Sequence, residues 1–169
     1  MILVAVGTFL HGFDALVAAA DDAAAALAVP GFAQIGHSKV VPRHLGWQRF
    51  LAPDDLARKI AGASVVVCHG GIGLIGEAMR AGRPIVVMPR RGWPTRASPA
   101  GDQTALVQRL AERHPIRVCA TPDELRPLLR TVLAVGSGPC RYQLGSDVPT
   151  ILAGFLASTA AQSRPAESS

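Results

Sequence analysis

The chain has 169 residues, which is enough for one domain with a substantial core. Hydrophobic residues make up 49%, charged residues 17% and aromatic residues 5%, a composition typical of a compact α/β domain. The 17 Lys and Arg exceed the 12 Asp and Glu, and the net charge of +5 favours anionic ligands or an anionic membrane surface. No zinc-ligand spacing, aromatic RNA-binding strand or basic helix accompanies this charge, so nucleic-acid binding is not expected.

The cysteines and the N-terminus indicate the compartment. Cys68, Cys119 and Cys140 are odd in number and lack a CxxC or metal-ligand spacing, which is typical of a reduced cytoplasmic protein. The apolar run at 2–6 is too short for a signal sequence or a membrane span. We therefore expect a cytoplasmic protein with no transmembrane segment of its own.

Strand-like apolar runs alternate with helical patterns along the chain. The predicted strands are 2–6, 32–35, 65–68, 85–88 and 116–119, and the predicted helices are 13–27, 53–61, 73–81, 103–113 and 122–132. This alternation indicates βαβ units around a parallel sheet with helices on both faces, a single Rossmann-like α/β domain. The predicted domain spans 1–160, with a last helix at 148–157 and a disordered tail at 161–169.

A glycine-rich turn, HGGIGLIGE at 69–77, follows the third predicted strand. It presents backbone N–H groups and the positive end of a helix dipole to an anion, so a diphosphate is the expected ligand. Glu77 is placed to accept hydrogen bonds from a ribose diol, and the alternative is an ordinary acid in the first turn of a helix. His69 is expected to orient the turn through its ring nitrogens rather than to act as a base. The apolar residues Ile72, Leu74 and Ile75 are expected to be core contacts of the turn.

Two loops, 36–53 and 90–102, are longer than an α/β unit needs. Loops at the carboxyl ends of parallel strands are where open sheets bind ligands. Arg90 follows a predicted strand and is placed to add positive charge near the diphosphate. Trp47 and Trp93 lie in these loops, where stacking, partner contact and membrane contact all remain open.

Four stretches of the sequence resemble the C-terminal, donor-binding domain of family 28 glycosyltransferases. They are MILVAVGT at 1–8 with Phe13, QIGHS at 34–38, HGGIGLIGEA at 69–78, and GRPIVVMPR at 82–90 followed by Asp102 and Gln103. Their order and spacing extend over most of residues 1–110. The chain is particularly similar to the small subunits of split UDP-sugar transferases, which include eukaryotic dolichol-linked UDP-GlcNAc transferases and bacterial exopolysaccharide transferases.

The resemblance implies the C-terminal half of a GT-B fold. It also implies a UDP-sugar-binding catalytic subunit of a two-component inverting glycosyltransferase that acts on a lipid-linked acceptor in bacterial exopolysaccharide or polysaccharide synthesis. In this family the two glycine turns flank the donor diphosphate, Glu77 contacts the ribose, and the pair 102–103 lies near the sugar hydroxyls. With His69 and Arg90 added from the residue patterns above, the candidate donor-binding residues are Gly7, Thr8, His69, Gly70, Gly71, Gly73, Glu77, Arg90, Asp102 and Gln103.

The resemblance also implies a partner. The family's acceptor site and proposed catalytic base lie in an N-terminal lobe, whereas Met1 of this chain opens the donor lobe's first strand. A membrane-associated partner subunit is therefore expected to supply that lobe and to recruit this chain to the inner face of the membrane. The sequence contains no Asp-x-Asp, and we expect no metal and no cofactor besides the UDP-sugar substrate.

Two other functions remain open. The pattern Gly71-x-Gly73-x-x-Gly76 matches the dinucleotide-binding fingerprint, which would suit an NADP-binding Rossmann-type oxidoreductase. The second alternative is a non-catalytic regulatory subunit of a glycosyltransferase. It rests on two departures from the family pattern: Leu74 stands where Thr is usual, and Asp102 stands where exopolysaccharide members have His.

Overall fold

The computed structural model of the chain describes residues 1–92, 102–136 and 138–142. It contains a six-stranded sheet in which every paired strand is parallel. The strands are β1 Ile2–Ala5, β2 Gly31–Gln34, β3 Gly46–Gln48, β4 Val65–Cys68, β5 Ile85–Val87 and β6 Ile116–Val118. The helices are α1 Asp14–Leu27, α2 Pro53–Gly62, α3 Ile72–Arg80, α4 Thr104–Arg113 and α5 Leu125–Ala134. The predicted Rossmann-like α/β fold is confirmed.

The central strands β1, β4 and β5 are apolar and fully buried because helices cover both faces of the sheet. In β1, Ile2 and Val4 join a core cluster with Leu16 of α1 and Leu129 of α5. Leu3 points the other way and joins a second cluster that holds buried residues of the helices α2, α3 and α4. This alternation follows from the period of two along a strand.

The strand order is β3-β2-β1-β4-β5-β6. The chain builds outward from β1 to β3, crosses to β4, and then builds outward in the other direction. The loops after β1 and β4 therefore diverge, and they open a crevice at the carboxyl edge of the sheet, where such folds bind ligands.

The strand β3 was not predicted, because its three residues lie inside the stretch 36–53 that the pattern assigned to a loop. Trp47 is thus an exposed residue of an edge strand rather than a loop residue. The predicted helix at 122–132 begins as a 3₁₀ turn, Pro122–Glu124, before α5 starts. Trp93, the predicted helix at 148–157, the domain limit at 160 and the tail at 161–169 lie outside the described residues. No helix of the described ranges has both the length and the apolar character needed to cross a membrane.

A buried carboxylate fixes the segment that leads into β3. Asp21 of α1 is only 6% exposed. Its oxygens accept hydrogen bonds from the backbone N–H groups of Arg43, His44 and Leu45 at 2.8 to 2.9 Å. Burial raises the pKa of Asp21, but these donors, with the ring of His44, more than compensate, and the net pKa is lowered. The carboxylate therefore positions β3 against β2.

We predict that Asp21→Ala lowers the free energy of unfolding by about 3 kcal/mol, because three backbone N–H groups, that of the buried Leu45 among them, lose their acceptor. Urea unfolding followed by circular dichroism measures this loss. The matched control is Asp22→Ala, since Asp22 is the exposed neighbour on the same helix. Its effect should stay within about 0.5 kcal/mol. Equal effects of the two substitutions would contradict the anchoring role of Asp21.

Candidate functional site

A cavity of about 350 Å³ lies at the carboxyl edge of the sheet, in the crevice between the loops after β1 and β4. Residues from both sides of this crevice and from the loop after β3 line it: Gly7, Thr8, Gln34, Phe50, Leu51, Leu56, His69, Gly71, Gly73, Leu74 and Glu77. The cavity thus brings together most of the candidate residues that the sequence predicted. It also adds Gln34, Phe50, Leu51 and Leu56.

The helix α3 begins at this cavity. Its first turn has the backbone of Gly71 as N-cap and no side-chain cap. The first intrahelical bond in this turn runs from the N–H of Ile75 to the carbonyl of Gly71 at 3.1 Å. The N–H groups of Ile72, Gly73 and Leu74 precede it and have no acceptor among the described residues. With the helix dipole, they form a site for an anion.

Gly73 leaves this helix terminus open. A Cβ added there would meet no atom within 4 Å, so no part of the described protein fills the space beside its backbone. A ligand can therefore approach the main chain closely at this position. The backbone angles of Gly73 do not themselves require a glycine, since its φ is not positive.

The turn after β1 is held by a buried amide that sequence analysis did not assign. Gln34, at the end of β2, is 4% exposed. Its Oε1 accepts from the N–H of Gly7 at 3.1 Å, and its Nε2 donates to the carbonyls of Gly7 at 3.1 Å and Arg49 at 3.2 Å. Gln34 belongs to one of the four stretches that resemble the family, but nothing in the sequence predicts its hydrogen bonds to Gly7. The bond pattern ties together the loops after β1 and β3.

The ring of His69 lies between the two glycine turns. A Cβ on Gly7 would come within 2.6 Å of the ring, and one on Gly71 would come within 2.3 Å. Both distances are far shorter than any real contact, so only glycine is compatible with the ring at either position. The ring thus contacts both turns by packing, whereas its buried Nδ1 has no hydrogen-bond partner among the described residues, so orientation of the turn through the ring nitrogens stays a prediction.

The pKa of His69 is lowered to about 4. Burial is the main cause, and the positive charge of Arg90 contributes. The ring is consequently neutral at pH 7. A ring with so low a pKa is a weak base, which agrees with an orienting role rather than general base catalysis.

Glu77 lies in the second turn of α3, and the first turn contains no acid. The alternative of an ordinary first-turn acid is therefore wrong, since the dipole effect falls off beyond the first turn. The Oε2 atom of Glu77 is buried and has no hydrogen-bond partner among the described residues. Because Glu77 also lines the cavity, a donor on a bound ligand is the natural partner of this oxygen.

The far wall of the cavity is apolar. Phe50 and Leu51 follow β3, and Leu56 belongs to α2. The length of the loop 36–53 was the only sequence signal for Phe50 and Leu51, and Leu56 had none. The three apolar residues of the glycine turn do not share one role. Ile75 is buried in the core, Leu74 lines the cavity, and Ile72 is 60% exposed, so the prediction of Ile72 as a core contact is wrong.

The remaining candidates, Gly70, Arg90, Asp102 and Gln103, do not line the cavity. The N–H of Gly70 donates to the Oε1 of Gln103 at 2.9 Å. Asp102 is exposed, and its Oδ1 accepts from the N–H of Thr104 at 2.8 Å. This bond is the main reason that the pKa of Asp102 is lowered. Within the described ranges, no group of three or more His, Cys, Asp and Glu is arranged to hold a metal ion.

The fold and the glycine turn after β4 define a Rossmann-like α/β domain. Its open helix terminus lies at the switch point, where the strand order reverses between β1 and β4. Residues 1–134 match the model of the glycosyltransferase family 28 C-terminal domain, so the chain belongs to that family. No curated protein matches the chain at a significant level.

Solved structures of glycosyltransferases share this fold. The glycotransferase of kitacinnamycin is 26% identical, with a TM-score of 0.60 over 78% of this chain and 34% of its own. MurG of Acinetobacter baumannii is 24% identical, with a TM-score of 0.56 over 78% of this chain and 40% of its own. CalG4, the calicheamicin glycosyltransferase, is 18% identical, with a TM-score of 0.59 over 97% of this chain and 43% of its own. The chain thus spans well under half the length of these proteins.

We predict that the ring of His69 stays neutral at pH 5 in the folded protein and titrates at about 4. The stability of the folded protein should depend on pH for the same reason. The neutral ring stabilises the fold fully above pH 6.5, the ordinary value, and this contribution is lost as the pH falls toward about 4. The loss is on the order of 3 kcal/mol. NMR titration of the histidine rings tests this, with His69→Gln identifying the His69 signals by their absence. Titration near pH 6.5 would contradict it.

Proposed function

We propose that the chain is the UDP-sugar-binding catalytic subunit of a two-component inverting glycosyltransferase. One observation carries the proposal. The buried, unpartnered Oε2 of Glu77 shares a cavity with the free N–H groups at the start of α3. A nucleoside diphosphate has an anionic group for the N–H donors and ribose hydroxyls for the carboxylate.

The N–H groups of Ile72, Gly73 and Leu74 bind the donor diphosphate in this proposal. When an acceptor hydroxyl displaces UDP at the anomeric carbon of the sugar, negative charge builds on the β-phosphate. Backbone donors that are already oriented stabilise this charge without reorganisation. The open space beside Gly73 lets the phosphate oxygens reach the main chain.

Glu77 accepts hydrogen bonds from the ribose one helical turn further along α3. The apolar wall of Phe50, Leu51 and Leu56 then receives the nucleobase. Thr8 and Gly7 close the cavity on the β1 side. In this proposal the diphosphate, the ribose and the nucleobase of UDP each contact residues of suitable polarity.

A second lobe, supplied by a partner subunit, completes the site. Large apolar side chains around the carboxyl edge are exposed to solvent, among them Phe9, Leu10, Phe50 and Ile72. Such surface is typical of a face that another protein covers. The glycosyltransferases of similar structure are about twice as long as this chain, which leaves room for a lobe of this kind. The lobe would carry the acceptor site and the catalytic base.

The lipid-linked acceptor and a role in exopolysaccharide or polysaccharide synthesis rest on the resemblance to the split members of the family. The net charge of +5 supports recruitment to the inner face of an anionic membrane. The dinucleotide-binding alternative is less well supported. Its fingerprint belongs after the first strand of the fold, whereas the glycine turn of this chain follows β4.

We predict that the purified chain binds UDP and does not bind NADPH measurably, since the cavity offers one anion site and one ribose site. Isothermal titration calorimetry with both ligands tests this. Glu77→Ala should weaken UDP binding by about 1 to 3 kcal/mol, the range for a charge-assisted hydrogen bond.

The matched control is Glu112→Ala, which removes an exposed glutamate on α4. It should leave the affinity for UDP unchanged. Tight NADPH binding without a response to UDP would refute the transferase proposal. A Glu77→Ala variant with wild-type affinity would remove the ribose contact.

We predict that the chain alone transfers almost no sugar, because one lobe provides neither an acceptor site nor a base. Transfer should appear when a protein that carries the N-terminal lobe is co-expressed. The measurement is incorporation of label from radioactive UDP-sugar into membrane lipids, with and without that protein. Robust transfer by the 169-residue chain alone would contradict the two-component design. No transfer with the partner, together with intact UDP binding, would favour the regulatory alternative.

A further inference from the structure

Arg49 directly follows β3 and binds the loop after β2. Its guanidinium donates hydrogen bonds to two carbonyls of that loop, those of Gly36 at 3.2 Å and Ser38 at 3.1 Å. Its own carbonyl accepts from the N–H of Gly36 at 2.7 Å and from the Nε2 of Gln34 at 3.2 Å. Because the guanidinium is charged, its bonds are stronger than those between neutral groups. Arg49 thus joins the chain after β3 to the chain after β2 through both its backbone and its side chain.

The loop that Arg49 binds is also held from the other side. The Oγ of Ser38, which is 1% exposed, accepts from the N–H of Phe13 at 2.8 Å. A Cβ on Gly12 would lie 2.5 Å from the backbone of Ser38, so the two chains are in close contact. The guanidinium of Arg90 in turn donates to the carbonyl of Gly12. Arg49 therefore binds a segment that the loop after β1 already fixes in place.

The two residues after Arg49, Phe50 and Leu51, form part of the apolar wall of the cavity. Within the described ranges, their backbone groups make no hydrogen bond to other backbone groups. The next backbone bond along the chain opens α2, where the N–H of Leu56 donates to the carbonyl of Ala52 at 3.0 Å. The position of Phe50 and Leu51 therefore depends on what holds the chain on either side of them. On the β3 side, that residue is Arg49.

The ring of His37 contacts the same wall. Its centre lies 5.1 Å from the centre of the Phe50 ring, and the two rings meet edge to face at 66°. His37 stands between Gly36 and Ser38, the two residues whose carbonyls Arg49 binds. Because Arg49 holds the chain on both sides of His37, it also fixes where that ring lies against Phe50.

We propose that Arg49 is a positioning residue for the nucleobase of the donor. It places Phe50 and Leu51 through the backbone and through the ring of His37, and it does not itself line the cavity. Its guanidinium binds backbone carbonyls, so the diphosphate is held at the start of α3 without it. This inference rests on the proposed function, because that function assigns the nucleobase to this wall.

Three ligands separate the nucleobase from the diphosphate. Uridine has the base and the ribose, inorganic pyrophosphate has only the phosphates, and UDP has both. In Arg49→Met the affinities for uridine and UDP should fall by the same factor, about five- to tenfold, because the base loses apolar contact. The affinity for pyrophosphate should stay within about twofold. Calorimetry measures UDP, and NMR titration measures the two smaller ligands.

A double-mutant cycle tests whether Arg49 acts through Phe50. Phe50→Ala removes the ring that Arg49 is proposed to place. In the Phe50→Ala background, Arg49→Met should therefore lower the affinity for uridine by no more than about twofold. Fully additive losses would mean that the two residues act independently, and they would overturn the proposal.

The matched control is Arg109→Met, since Arg109 is an exposed arginine on α4 and does not line the cavity. It should leave all three affinities unchanged. Arg49→Lys keeps a charged donor on a long side chain, so it should lower the affinity for uridine by only about two- to threefold. It also serves as the test variant if Arg49→Met does not fold.

Three results would overturn the inference. A loss for UDP and pyrophosphate with unchanged uridine binding would make Arg49 a phosphate contact. An equal loss for all three ligands, with a lower melting temperature, would make it a purely structural residue. Wild-type affinity for uridine in Arg49→Met would remove the positioning role and leave the proposed function intact. Failure of the wild-type chain to bind UDP would instead refute the proposed function on which the inference rests.

Discussion

The packing of one imidazole ring between two glycine turns is the constraint on which the rest of the site depends. His69 ends the strand β4, and its ring fills the space beside both Gly7 and Gly71. Because neither glycine has room for a side chain, the loops after β1 and β4 can approach each other across the switch point of the sheet. The ring is neutral at pH 7, so it separates the loops without adding charge to an anion site. The ring of His69 therefore sets the separation between the two glycine turns.

Two glutamines reinforce this arrangement from opposite sides. Gln34 binds the backbone of Gly7, and Gln103 binds the N–H of Gly70. Each side chain uses an amide oxygen to satisfy the N–H of a turn glycine, so those N–H groups are not offered to a ligand. Among the described residues, the first turn of α3 keeps N–H groups that have no acceptor within the protein. The chemistry of the site is therefore concentrated at one helix terminus.

Local signals were sufficient to predict most of the fold. The apolar runs of β1, β4 and β5 and the glycine turn before α3 have patterns that arise from their own residues. The strand β3 was missed because three exposed residues have no pattern of their own, and Asp21 places them through bonds to residues more than twenty positions away. The role of Gln34 was missed for the same reason. Contacts between residues distant in sequence leave no periodic signal.

The two departures from the family pattern carry less weight in the structure than in the sequence. Leu74 lacks the usual hydroxyl, but it keeps its backbone N–H, and the anion site of α3 is built from backbone N–H groups. Its side chain contributes to the wall of the cavity instead. Asp102 is exposed and caps the N–H of Thr104 at the start of α4, a task that suits an aspartate. The leucine thus removes one hydroxyl from the cavity that holds Glu77 but no backbone donor, and Asp102 lies outside that cavity. The departures alone therefore give little reason to prefer a subunit without catalytic function.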